Sequence, residues 1–94
     1  MINNSTHGFS RDVTIINPLG LHARTAAKIT KLVKNVKSNV WIIKDGEKAD
    51  ASSVIEILTL ACEQGSKITL KIDDQSDLKI LNDLAQLVES GFGE

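Results

Sequence analysis

Apolar residues along this chain recur at two different spacings, and the order in which the spacings change leaves few folds open to it. In "RDVTIIN", Val13 and Ile15 alternate with Asp12 and Thr14. A period of two gives a strand with one buried face, which Asn17 and Pro18 then stop. From His22 onward Ala26, Ile29, Leu32 or Val33, and Val36 recur at three- and four-residue steps, which predicts a helix of about four turns. "NVWIIK" is short, β-branched and aromatic, and Asp45-Gly46 directly after it suits a two-residue hairpin turn with positive φ angles. A second strand therefore folds back into a short third one, Glu47 to Asp50. Ser53 with Glu56 three residues on has the form of a capping box, and Gly65 suits the position past a helix end. A second helix is expected from Val54 to Gln64. "KITLKID" alternates again, with Ile68, Leu70 and Ile72 directed inward. After a polar turn, Asp73 to Ser76, a last helix carries Leu78, Leu81, Leu84 and Val88, with Gly91 just past its end.

The resulting order is β-α-β-β-α-β-α. Right-handed crossovers put all three helices on one face of a four-stranded antiparallel sheet, an α+β class, and leave the other face open. Strand alternation then places Trp41 and Ile43 on that open face if Val40 and Ile42 are core, with Ile16 near them if the first strand keeps the same register.

With 94 residues, 41% of them hydrophobic, the chain can bury one core and has no room for a second domain. Residues 1–10 are polar and are expected to form a flexible tail, and residues 11–94 the domain. A net charge of −1 gives no basic excess to suggest nucleic acid as a partner. The single cysteine, Cys62, excludes an internal disulfide, and with His7 it is too little for a metal site beside His22, so no metal or other cofactor is expected. No apolar run approaches the roughly 18 residues of a membrane span, and residues 1–10 lack the basic start and apolar core of a signal peptide. A cytoplasmic monomer without membrane insertion is the expectation.

Chemistry concentrates at one junction, "INPLGLHARTAAKI". A helix begins with N–H groups that lack carbonyl partners, and with the helix dipole they attract an anion. His22 stands at that start. A second positive charge there is unfavourable by about 0.3–1 kcal/mol, and a neutral imidazole is a nucleophile. If it attacks a phosphoryl group, the phosphate oxygens meet the free N–H groups, and Arg24 can add charge-assisted bonds. A plain N-cap histidine with Arg24 in solvent fits the same residues. A serine or cysteine hydrolase does not, because no second histidine or strained nucleophile turn lies within the domain. On the far side of the same helix Lys28, Lys31 and Lys34 recur, with Lys37 beyond, as a solvated face or as a docking surface for an acidic partner.

"GLHAR" followed by "AAKI", "KDG" at a hairpin, "SSVIEILTLAC" before "QGSKITL", and "LVESGFGE" together resemble the HPr family, the histidine-containing phosphocarriers of the phosphoenolpyruvate-dependent sugar phosphotransferase system. The resemblance spans Arg11 to Glu94 and implies an open-faced β-sandwich, the arrangement that the element order already gave. It implies that His22 is phosphorylated on Nδ1 by phosphorylated enzyme I and hands the group to the IIA domain of a sugar permease, with Arg24 holding the phosphate. Such a chain is a stoichiometric carrier rather than an enzyme. A nitrogen-type regulatory relay and a non-catalytic regulatory binding module are the alternatives; members that cannot be phosphorylated replace this histidine, which the chain retains. The partner surface implied is Leu21, Ala23, Ala27, Val54, Ile55 and Leu58. In "SVIEILTLA" apolar residues occupy too much of the helix circumference to face one core, which agrees with part of it facing a partner.

Three positions depart from the family pattern. Thr25 stands where most members have proline, so its N–H remains and adds a donor to the binding site. Ser52 replaces a frequent lysine or arginine, and Glu56 a frequent glycine. Both flank Ser53, which matches the serine phosphorylated by a regulatory kinase in members that have such control; the resemblance implies an HPr kinase or phosphorylase and a transcriptional regulator as further partners. Ser53 is a helix cap on its own residues' showing, and a carboxylate at Glu56 would repel a phosphate there.

Overall fold

A computed structural model describes residues 9–94. The strands are β1 (Ser10–Thr14), β2 (Val40–Lys44), β3 (Glu47–Asp50) and β4 (Lys67–Ile72), and the helices α1 (Ala23–Leu32), α2 (Val54–Thr59) and α3 (Leu78–Glu89). Short 3-10 turns, Gln75–Asp77 and Gly91–Gly93, flank α3. Residues 1–8 of the expected tail, His7 among them, lie outside the described residues, whereas Ser10 is the first residue of β1 and Phe9 packs against the core.

The sheet runs β1-β4-β2-β3 with every neighbour antiparallel. Register follows the alternation: Val13 pairs with Ile68, Val40 with Ile72, and Ile42 lies between Leu70 and Ala49. These side chains and Ile15 are buried together with Ala26, Ile29, Val33, Ile57, Leu81, Leu84 and Val88 from the helix layer, which makes one core between sheet and helices. Arg11 shares the inner side at the β1 edge and reaches past the core to donate to Asn82 Oδ1 on α3 at 2.8 Å. The architecture is the expected open-faced α+β sandwich.

The Asp45-Gly46 hairpin forms with φ of 51° and 83°. Trp41 and Ile43 are half-buried on the outer side, where the Trp41 Nε1–H donates to the Asp73 carboxylate and Lys48 Nζ sits 4.2 Å from the ring centroid. Ile16 does not join them. Its side chain turns toward Gly91 at the end of α3, 3.5 Å from where a Cβ on that glycine would lie.

Both shorter helices stop sooner than their sequence pattern suggests. The C-cap of α1 is Val33, whose N–H donates to Ile29 O at 3.1 Å, so Val36 packs from the following turn. Helix α2 is capped at Leu60, and Ala61 turns left-handed with φ 53°. Lys44 Nζ holds that end by donating to the Leu60 and Ala61 carbonyls at 3.1 and 3.0 Å. Gly65, expected to terminate α2, instead forms the turn into β4, where its N–H donates to Ile15 O at 2.7 Å. The capping box at Ser53 is half formed: Ser53 Oγ accepts from Glu56 N–H at 3.2 Å, but the Glu56 carboxylate accepts from Asp50 N–H at 2.9 Å.

Candidate functional site

Gly20 determines how the chain enters α1. Its φ is +68°, and a Cβ there would meet Cys62 O at 2.3 Å. Only a residue without a side chain lets the loop press onto the segment after α2, where Leu21 N–H donates to Cys62 O at 2.8 Å. Asn17, 2% exposed, braces the loop from within through Nδ2 to Gly20 O at 2.9 Å.

This geometry delivers His22 to the N-cap of α1 in extended backbone, φ −124° and ψ −174°. Its Nδ1 accepts from Arg24 N–H at 3.3 Å, and its Nε2 lies 3.4 Å from Glu94 Oε1. A ring nitrogen that accepts from an N–H carries a lone pair, and one facing a carboxylate carries the proton. The contacts fit the tautomer with Nε2–H, which leaves the Nδ1 lone pair turned toward the helix start. The imidazole is 30% exposed, so a phosphoryl donor can reach it from solvent. Arg24, exposed two residues along, can close over an incoming anion.

The remaining predicted site residues divide by exposure. Ala23 and Ala27 are exposed on α1, Ile55 is 76% and Leu58 39% exposed on α2, and Val54 is half-buried. Leu21 and Thr25 are buried rather than exposed, at 7% and 0%, beside the tight loop at Gly20. Thr25 bonds within the protein, its Oγ1 accepting from His22 N–H at 3.0 Å. Ser53 is half-buried as the α2 cap. Lys28, read as part of a docking face, is tied down, since its Nζ donates to Phe92 O at 2.7 Å and so fastens the segment that carries Glu94.

Two contributions were missed in the sequence. Leu19, 74% exposed between Pro18 and Gly20, and Ile16, 50% exposed, add apolar surface on the loop that leads to His22. A turn position flanked by proline and glycine was the available signal for Leu19. Glu94 lies 72 residues from His22, and no local pattern announces the contact. Among the described residues no three His, Cys, Asp or Glu side chains gather to hold a metal ion. Cys62 is buried against this loop, and burial pushes its thiol pKa up, with Lys44 opposing.

Residues 9–90 match the family model of the PTS HPr component phosphorylation site. The chain belongs to the HPr family. HPr-family proteins are phosphocarriers, and the chain is 42% identical over 84 residues to the phosphocarrier protein HPr of Cupriavidus necator, covering 89% of this chain and 94% of that protein. It is 40% identical over 85 residues to the phosphocarrier protein NPr of Proteus mirabilis, at 89% and 94% coverage. The crystal structure of HPr from Thermoanaerobacter tengcongensis superposes with a TM-score of 0.75 at 36% identity, over 90% of this chain and 96% of that one. No helix among the described residues is long and apolar enough to cross a membrane.

Proposed function

We propose that this HPr-family chain carries a phosphoryl group on His22 Nδ1, taken from phosphorylated enzyme I and passed to the IIA domain of a sugar permease in the cytoplasm. The observation that supports this most directly is the pair of contacts on the imidazole, Nδ1 at the start of α1 and Nε2 facing Glu94. In the transfer, the Nδ1 lone pair attacks phosphorus while the bond from phosphorus to the donor's nitrogen breaks and its electron pair stays with the donor. The His22 ring keeps its Nε2–H and gains positive character, which the Glu94 carboxylate offsets. The phosphate oxygens take up first-turn N–H groups and Arg24. Because the site is shallow, the phosphate stays within reach of a second nucleophile, and the IIA domain receives it by the same steps in reverse. The apolar surface of Leu19, Ile55 and Leu58 provides the docking area.

Incubation with phosphoenolpyruvate and purified enzyme I should give an acid-labile, base-stable phosphate that His22→Ala removes. A full signal on that variant would overturn the assignment. A nitrogen-type relay is the second reading, favoured by the 40% identity to an NPr. Comparing uptake from a sugar-type and a nitrogen-type enzyme I separates the two.

A further inference from the structure

We propose that Thr25 is a positioning residue whose buried hydroxyl latches the backbone of His22 and thereby aims Nδ1 at the start of α1. The inference rests on the phosphocarrier reading for its functional consequence. Thr25 itself is 0% exposed, so it meets neither phosphate nor partner. Its Oγ1 accepts from His22 N–H at 3.0 Å and lies 3.2 Å from both Gly20 O and His22 O, either of which takes its single hydroxyl proton. On the other side of the same residue, His22 O accepts from Ala26 N–H at 2.8 Å. Both peptide groups of His22 are thus held, and its φ and ψ with them.

The latch extends into the loop. Gly20 O receives Asn17 Nδ2 at 2.9 Å as well as facing the threonine hydroxyl, so Asn17, Gly20, Thr25 and His22 form one chain of hydrogen bonds under the site. Asn17 and Thr25 are two of the three buried polar or charged residues among those described, and both serve this one turn. Asn17 Oδ1 finds no partner among the described residues, so rigidity comes from the bonds that are made, which fix the groups they connect. Rigidity matters here because the Nδ1 contact, at 3.3 Å, has little slack before it ceases to be a hydrogen bond. A small rotation about the His22 backbone would carry the ring away from Arg24 N–H and from Glu94 together. A side chain of the same shape without the hydroxyl would leave the half-buried His22 N–H without this partner.

The test uses the full chain, with Thr25→Val to remove the hydroxyl at constant shape and Thr25→Ser to restore it. Nitrogen-15 NMR of the His22 ring reports which nitrogen holds the proton, and the initial rate of phosphate uptake from enzyme I reports function. Thr25→Val should shift the ring from a predominantly Nε2–H form toward a mixture and slow uptake by fivefold or more, whereas Thr25→Ser should bring both within twofold of the native chain. Native ring resonances and native rate in Thr25→Val, or no rescue by serine, would overturn the latch. Should Thr25→Val not fold, hydrogen exchange of the His22 amide in the native chain decides, since the latch requires protection and an unprotected amide refutes it. A native chain that takes up no phosphate overturns the carrier reading, while ring resonances and amide protection still decide the latch.

Discussion

At Gly20 a methyl group would combine two penalties, a left-handed φ of +68° and a contact of 2.3 Å with the Cys62 carbonyl oxygen. The first costs about 1–2 kcal/mol and the second, as overpacking against backbone, about 1–3 kcal/mol. Gly20→Ala should therefore lose about 3 kcal/mol in urea unfolding. Gly46→Ala, with φ +83° and nothing within 4 Å, should lose only the first part, about 1 kcal/mol. Equal losses would show that the loop does not press on Cys62. Arg24 is the opposite kind of residue, exposed and outside the core, so Arg24→Ala should keep the native unfolding midpoint while slowing phosphate uptake about tenfold, the effect of one charge-assisted bond of about 1.4 kcal/mol in the transition state. An unchanged uptake rate would remove Arg24 from the site. The position of His22 and Arg24 at the start of a helix was legible in the sequence because a helix start is a local event written in consecutive residues. The bonds of the Thr25 hydroxyl were not legible, since a sequence shows that a hydroxyl is present and not which way the backbone turns it. Glu94 was not legible, because its approach depends on where α3 ends.

Helix α2 shows why element ends are harder to read than elements. Its apolar residues continue through Leu60, and Cys62 is buried as a helical residue there would be, yet the helix stops when Ala61 turns left-handed and Lys44 from the hairpin takes the free carbonyls. A cation from another strand decides the boundary, and the local pattern carries no trace of it. The start of α2 was half legible for a related reason. Ser53 caps as expected, but the Glu56 carboxylate goes to Asp50 N–H, which ties the helix to the end of β3. That contact changes how Ser53 can be tested as a site for an HPr kinase. Removing the side chain of Glu56 would loosen β3 as well as remove its charge, so Glu56→Gln is the cleaner variant, keeping an oxygen for Asp50 N–H. Glu56→Gln should be modified faster by such a kinase than the native chain, because a nearby carboxylate repels the incoming phosphate. Equal rates would show that Glu56 is no electrostatic obstacle at Ser53.

For the molecule as a whole, the alternation of periods was enough to assign the strands, the helices and the open sheet face, since each face is fixed by side chains two or four apart. The strand order β1-β4-β2-β3 was not assigned from the pattern, because it depends on which distant strands pair. That order ties β1 to the elements after the hairpin: β1 and β4 support α3, and α3 brings Glu94 to the loop that also leans on Cys62. A perturbation at Cys62 is therefore felt by the fold as well as by the site. Burial is the main cause that raises its thiol pKa in the folded chain, assisted by Asp45 and opposed by Lys44. The sign follows directly: a group whose folded pKa lies above its unfolded value stabilises the fold fully below the unfolded pKa, and this contribution is lost as pH rises through the folded one. The chain has no tyrosine to titrate in that range. Its urea midpoint, followed by the emission of the single Trp41 on the open face, should hold from pH 7 to about 8 and fall once pH passes the ordinary thiol range near 8.5. Cys62→Ala starts from a lower midpoint because of the space it leaves, and should show a shallower fall over the same interval. An identical fall in both proteins would assign the alkaline loss to other groups and leave the thiol without a part in it.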